Sequence, residues 1–267
     1  MGINAYTADW LLRHHEQGLF EGKRRIAEFG PQDFLFCRNY MKRAAARLHP
    51  DPDAARAFHH RIFPEDADPC APDSQRHFYA ALGLTDYKAF DYYDARAEHQ
   101  FDFNYVINMR DRFDVVTNFG TSEHVFNIGA TFASMHNLLA VGGLGIFILP
   151  AMADIAHGFY NIHPLLFKAL AHFNKYEIVE HTYVDHAQGR ALRHEEDPDD
   201  PAPFSDFLEL RYDQSFTADA VARFARNLEQ ERRKAEAGLP SESVYDYNYV
   251  ILRKLESVRF VWPSQII

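Results

Sequence analysis

The apolar positions of this chain change period repeatedly from one end to the other. Short apolar runs of strand length occur at "RRIAEF" (24–29), "DYKAFDYYD" (86–94), "FDVVTNFG" (113–120), "LGIFILP" (144–150), "YEIVEHTYVD" (176–185) and "YDYNYVILRKL" (245–255). Between them, apolar residues recur at the three- and four-residue spacing of a helix with one buried face. This spacing predicts helices over 7–19 with Thr7 as cap, 33–48, 74–83, 127–141 stopped by Gly142-Gly143, 164–174, and 217–237 before Gly238 and Pro240. Strands dense in apolar residues and alternating with helices predict an α/β fold, in which a largely parallel sheet is covered by helices on both faces. Ligands of such sheets bind beyond the carboxyl ends of the strands, near the switch in strand order.

The predicted strand ends are polar. The first runs into Glu28-Phe29-Gly30-Pro31-Gln32, the second into Asp91 with Tyr92 and Asp94 behind it, and the third into "NFGTSEHVFN" (118–127). Between the second and third lies "FDFN" (101–104). Gly30 permits a close backbone approach. An acid after the second strand can accept from two ribose hydroxyls, and an acidic first turn suits a cationic ligand better than a pyrophosphate. No G-x-G-x-x-G and no phosphate loop is present, since the glycine after Gly30 is Gly83. That argues against NAD and ATP.

Composition narrows the partners. The 267 residues suit one domain, and the formal net charge of −10 with no basic cluster argues against nucleic acid. Two cysteines, Cys37 and Cys70, build no disulfide framework, which fits a cytoplasmic setting. No apolar run is long enough for a membrane span, and the N-terminus does not read as a signal peptide. The 15 histidines include the pairs His14-His15 and His59-His60, but no HExxH or similar ligand spacing, and no metal is expected.

The segments "RRIAEFGPQD", "YKAFDYYD", "FDFN", "FDVVTNFGTSEHVFN", "LLAVGGLGIFILP" and "HGFYNIHPLLFKALA", taken in order, resemble the class I S-adenosylmethionine-dependent methyltransferases. The resemblance spans roughly residues 20–185 and 243–265. It implies a Rossmann-like sheet of seven strands in the order 3-2-1-4-5-7-6, with the seventh antiparallel and the third short or irregular near 101–106. It implies S-adenosyl-L-methionine as cofactor. The turn Glu28, Phe29, Gly30, Gln32 would hold the methionyl part. Asp91, with Tyr92 beside it, would bind the ribose, Asp102 and Phe103 would flank the adenine, and Asn118, Phe119, Gly120 and Thr121 would pass beneath the sulfonium. The first turn departs from the family in carrying a single glycine.

The implied activity is methyl transfer to an O or N nucleophile of a small-molecule acceptor; the rival is a silent relative that serves as a cofactor-binding or partner subunit. On the acceptor side, His157 is the candidate base or acceptor-orienting residue and Tyr160 the second choice. His124, Asn161 and His163 are candidate substrate contacts, although packing is the commoner fate of a residue placed like His124. The chain reads as one domain over 1–267. An insertion at 49–73 suits decoration or a homo-oligomer contact, and one at 186–242 suits a lid.

Overall fold

The computed structural model describes residues 2–34, 38–64, 74–152, 157–185, 209–211, 216–238 and 246–264. Most of the expected lid, the polar loop 194–203 included, and residues 65–73 of the earlier insertion lie outside these.

The strands are β1 (Gly2–Ile3), β2 (Arg25–Phe29), β3 (Asp33–Phe34), β4 (Asp86–Asp91), β5 (His99–Gln100), β6 (Phe113–Phe119), β7 (Leu139–Met152), β8 (Tyr176–Asp185), β9 (Glu209–Arg211) and β10 (Asp246–Lys254). The helices are α1 (Ala5–Glu16), α2 (Arg38–Leu48), α3 (Pro52–Ile62), α4 (Ser74–Ala81), α5 (Ile128–Leu138), α6 (Leu165–Asn174) and α7 (Phe216–Glu236). The main sheet runs β5-β4-β2-β6-β7-β10-β8-β9. Pairing is parallel from β5 through β7, and β10 is antiparallel to both β7 and β8. Counted from β2, the first seven of these strands stand in the expected order 3-2-1-4-5-7-6 with the last antiparallel. Strand β9 adds an eighth at the edge, antiparallel to β8.

Side-chain alternation divides the core between the two faces. Ile26 points into the cluster formed with α1 to α4, and its neighbour Ala27 into the one formed with α5 and α6. On β10, Tyr249 and Ile251 take the first face, and Val250 and Leu252 the second. Period two with both faces apolar is what made these strands read as continuous hydrophobic runs.

Four local expectations are corrected. Asn4, not Thr7, caps α1: its side chain accepts from Thr7 N at 2.8 Å, while the Thr7 hydroxyl lies 3.0 Å from that of Tyr249. The helix expected from Asp33 starts only at Arg38, because Asp33–Phe34 pairs with Gly2–Ile3 as a short parallel ladder. The Asp/Pro-rich stretch after Leu48 opens a helix instead of only breaking one. Asp51 caps α3 and Pro52 occupies its first turn, where the missing N–H costs nothing. Gly142-Gly143 belongs to β7, and the ladder with β6 takes up the extra residues as a register shift between Phe113 and Val115. The third strand of the family order is His99–Gln100, just before the stretch expected.

Candidate active site

The parallel strands β4, β2 and β6 end at one rim, and an open cleft of about 670 Å³ lies there. Its walls are Gly30 to Asp33 after β2, Asp91 to Asp94 and Arg96 after β4, Asp102 to Asn104 after β5, and Gly120, Thr121, His124 and Val125 after β6. Four aspartates and one arginine face it, so its side chains carry a negative balance.

Gly30 (φ +76°) and Gly120 (φ +72°) both adopt the left-handed backbone. At Gly30 the demand is also steric. A Cβ there would stand 2.4 Å from Thr121 Oγ1, whose hydroxyl donates to the Phe29 carbonyl at 2.7 Å and ties the β2 and β6 turns together. Gly30→Ala should therefore destabilise the fold by at least about 1–2 kcal/mol, read as a lower urea midpoint. An unchanged midpoint would show that the turn adjusts freely.

At the end of β4, Asp91 Oδ1 accepts from the backbone of Tyr93 at 2.7 Å and of Asp94 at 2.8 Å. One carboxylate oxygen thus builds the turn, and the residue lines the cleft. Asp94 is committed elsewhere: Arg96 holds it through Nε and Nη2, and this pairing lowers the Asp94 pKa. The same guanidinium donates to Asp33 Oδ1 at 2.8 Å and to the Pro31 carbonyl at 2.9 Å, clasping the β2 and β4 turns.

Of the residues expected around the cofactor, Gly30, Gln32, Asp91, Tyr92, Asp102, Phe103, Gly120 and Thr121 line the cleft. Phe103 is mostly buried, stacked on Phe29 with centroids 4.7 Å apart. Asp102 Oδ1 accepts from Asn104 N and Nδ2, bracing its own loop. Glu28, Phe29, Asn118 and Phe119 are buried behind the wall. Asn118 Oδ1 accepts from Ser122 N, shaping the turn that follows β6.

Glu28 is 1% exposed. Its Oε1 accepts from the Tyr79 hydroxyl at 2.7 Å, and its Oε2 from the Tyr87 hydroxyl and from Gln32 N. Burial outweighs these hydrogen bonds and pushes the carboxyl up to about 7. The glutamate therefore acts on the cleft from behind, through the backbone of Gln32.

Beyond the ends of β6 and β7 the structure gathers His124 and His157 around Glu123. Glu123 and His124 lie in a short 3-10 turn after β6. His157 Nε2 is 3.6 Å, and His124 Nε2 3.8 Å, from Glu123 Oε1. His124 faces the cleft. Tyr160 donates its hydroxyl to the Phe126 carbonyl at 2.7 Å. His163 Nδ1 accepts from Leu165 N, bracketing the start of α6, and Asn161 is exposed nearby. The residues that sequence reading missed are Arg96, Tyr79 and Tyr87; the first two stand outside the quoted segments, and Tyr87 opens "YKAFDYYD" without any sign there that its hydroxyl meets Glu28.

No family model matches the chain, and no curated protein matches it. Solved structures similar to it include DesVI of Streptomyces venezuelae, at 12% identity and TM-score 0.32, over 55% of this chain and 51% of that one, about half of each. An O-methyltransferase from a trans-AT PKS multienzyme of Brevibacillus brevis, in complex with S-adenosyl-L-homocysteine, is similar at 13% identity and TM-score 0.40, over 93% and 73%. A SAM-dependent methyltransferase of Geobacter sulfurreducens, in complex with the same compound, is similar at 14% identity and TM-score 0.39, over 91% and 90%. The fold assignment rests on the strand order, and the site on its residues. Among the described residues, no helix is long and apolar enough to cross a membrane.

Proposed function

We propose that the chain is an S-adenosylmethionine-dependent methyltransferase acting on an O or N nucleophile of a small molecule. The observation that carries this reading is the acid-lined cleft at the carboxyl ends of β2, β4 and β6, with glycine backbone at two of its turns. A negative balance suits a sulfonium and an α-ammonium, and opposes a pyrophosphate. The volume, near the middle of the usual range for ligand pockets, accommodates a nucleoside with an amino-acid arm.

When bound, the cofactor would supply an electrophilic methyl carbon to the acceptor's lone pair, with S-adenosylhomocysteine as leaving group and the acceptor's proton going to His157 or to solvent. The protein's part is to hold donor and acceptor in line and to keep water out. Asp91 receives the ribose hydroxyls with the oxygen that the turn leaves over. Gly30, Gln32, Gly120 and Thr121 present backbone and short side chains to the methionyl arm and sulfonium, and Asp102 and Phe103 bound the adenine side. Glu28, Phe29, Asn118 and Phe119 set these turns from behind. His157 orients the acceptor beside Glu123, with His124 at the cleft wall and Tyr160, Asn161 and His163 on the segment that follows β7. The segment 186–242 serves as a lid; the insertion at 49–73 is no mere decoration, since its helix α3 buries Ala55, Phe58 and Ile62 in the core, and its outer face is left as the candidate oligomer contact.

Calorimetry with S-adenosylhomocysteine tests the cofactor, and a screen of small alcohols, phenols and amines for gain of one methyl group tests the activity. Saturable binding without transfer to any acceptor would favour the silent, partner-subunit alternative. Asp91→Asn keeps an oxygen for the turn and removes the charge. Losing a charge-assisted hydrogen bond costs about 1.5–3 kcal/mol, so affinity for S-adenosylhomocysteine should fall about 10- to 100-fold. Equal affinity in variant and wild type would move the ribose away from Asp91.

A further inference from the structure

We propose that Glu123, His124 and His157 form a binding site for a first-row divalent cation of the zinc type at the acceptor end of the cleft. The three residues each offer one donor atom, and these atoms lie within 4.8 Å of one another. The separations of 3.6 and 3.8 Å from Glu123 Oε1 to the two imidazole nitrogens are longer than an N–H···O hydrogen bond, which ends near 3.2 Å. They lie close to the ~3.4 Å between neighbouring ligands that bonds of about 2.0–2.1 Å make at tetrahedral angles. Two of the three separations thus approach that of ligands around one ion; the imidazole pair, within 4.8 Å, closes to ligand spacing by rotation of the partly exposed histidine side chains.

The backbone holds the arrangement. Phe159 N donates to the Glu123 carbonyl at 2.8 Å. At Gly158 a Cβ would stand 2.9 Å from the same carbonyl oxygen. The segment carrying His157 is therefore seated against the turn carrying Glu123 and His124, so the donors converge by construction. The Glu123 side chain is 0% exposed, and those of His124 and His157 are 48% and 33% exposed. The carboxylate forms the floor of the cluster, with two imidazoles at the open side.

The donor set selects the ion. Calcium and magnesium take oxygen ligands, whereas two imidazoles and a carboxylate suit zinc and its first-row neighbours. Three protein ligands leave a coordination position vacant, the pattern of sites that bind a reacting oxygen. Because His124 lines the cleft, that position opens toward the acceptor. Use of the ion in methyl transfer rests on the function proposed above: it would hold the acceptor oxygen and favour its deprotonated form. The site itself does not depend on that function.

The test uses the full chain, stripped with a chelator and titrated with Zn2+ by calorimetry in the absence of S-adenosylmethionine and of any acceptor. One equivalent should bind, and Co2+ should compete for it. His124→Ala and His157→Ala should each weaken Zn2+ affinity at least about tenfold, as should Glu123→Gln. His124 is half exposed, so its variant keeps the test valid should Glu123→Gln fail to fold. Absence of saturable Zn2+ binding by the folded wild type, or wild-type affinity in both histidine variants, overturns the site. S-adenosylhomocysteine affinity is measured separately, so failure of the methyltransferase reading is distinguishable from failure of this one.

Discussion

Replacing His157 by alanine is expected to lower turnover by about 10²-fold, the scale of rate lost when a reacting group is misplaced by about 1 Å. Affinity for S-adenosylhomocysteine should not change. The expectation comes from position. His157 stands beside Glu123, on a segment fastened by the Phe159–Glu123 backbone bond, and outside the wall that surrounds the cofactor cleft. Tyr160 offers a contrast, since its hydroxyl is already given to the Phe126 carbonyl. Tyr160→Phe should cost about 1 kcal/mol of stability and leave turnover nearly intact. Both variants can be followed by S-adenosylhomocysteine released with an acceptor found in the screen. If His157→Ala retains full turnover, the acceptor is oriented by other residues; if cofactor affinity falls in step, His157 belongs to the cofactor side.

The sheet was legible because its strands are apolar on both faces and its helices on one. Nothing else explains runs such as 113–119 and 144–150 next to stretches of helical period. The added edge strand Glu209–Arg211 was overlooked although Leu208, Leu210 and Tyr212 alternate with Glu209 and Arg211, because so short an alternation falls within the stretch 186–242 that reads as one insertion. The extension of β7 back to Leu139 was missed for a related reason: paired glycines read as a stop, and only the ladder with β6 shows them absorbed.

The cleft was readable where position alone decides. Gly30, Asp91, Asp102 and Thr121 stand at strand ends, and the strand order follows from the pattern. Direction was not readable. Glu28 occupies a strand end like the others, but alternation and the tyrosines of α4 and β4 turn its carboxylate inward. The cluster of Glu123, His124 and His157 was invisible to any search for ligand spacing, since it joins the ends of two strands that are adjacent only in the sheet.

The contribution of Glu28 to stability is expected to fall as pH rises from about 4.5 to about 7. It acts against that of His15, His136 and His181, whose imidazoles have pKa values lowered by burial and add stability as pH rises. The Glu28 carboxyl is raised from 4.5 in the unfolded chain to about 7 in the fold, because burial penalises the charged form more than Tyr87, Tyr79 and the Gln32 backbone compensate. Between these values the folded protein holds a proton that the unfolded chain has released. The contribution is therefore fully present below the unfolded pKa, is lost progressively across the window, and is gone above pH 7. A gap of this size corresponds to a loss on the order of 3 kcal/mol.

Glu28→Gln isolates this group. The amide oxygen can take the place of Oε2, accepting from Tyr87 and Gln32 N, while the amide nitrogen donates to the Tyr79 oxygen once that hydroxyl turns away. The side chain then stays neutral at every pH. Urea unfolding at pH 5 and pH 8 should show the stability of the wild type relative to the variant falling from the lower pH to the higher, since the three histidines act equally in both proteins. Above pH 7 the variant should be the more stable of the two. Because Glu28 holds the turn through Gln32 N, the wild type's affinity for S-adenosylhomocysteine should also shift with pH over the same window, and the variant's should shift less. Identical pH slopes of stability in the two proteins would mean that Glu28 remains ionised in the fold, with its tyrosine hydroxyls meeting the full cost of burial.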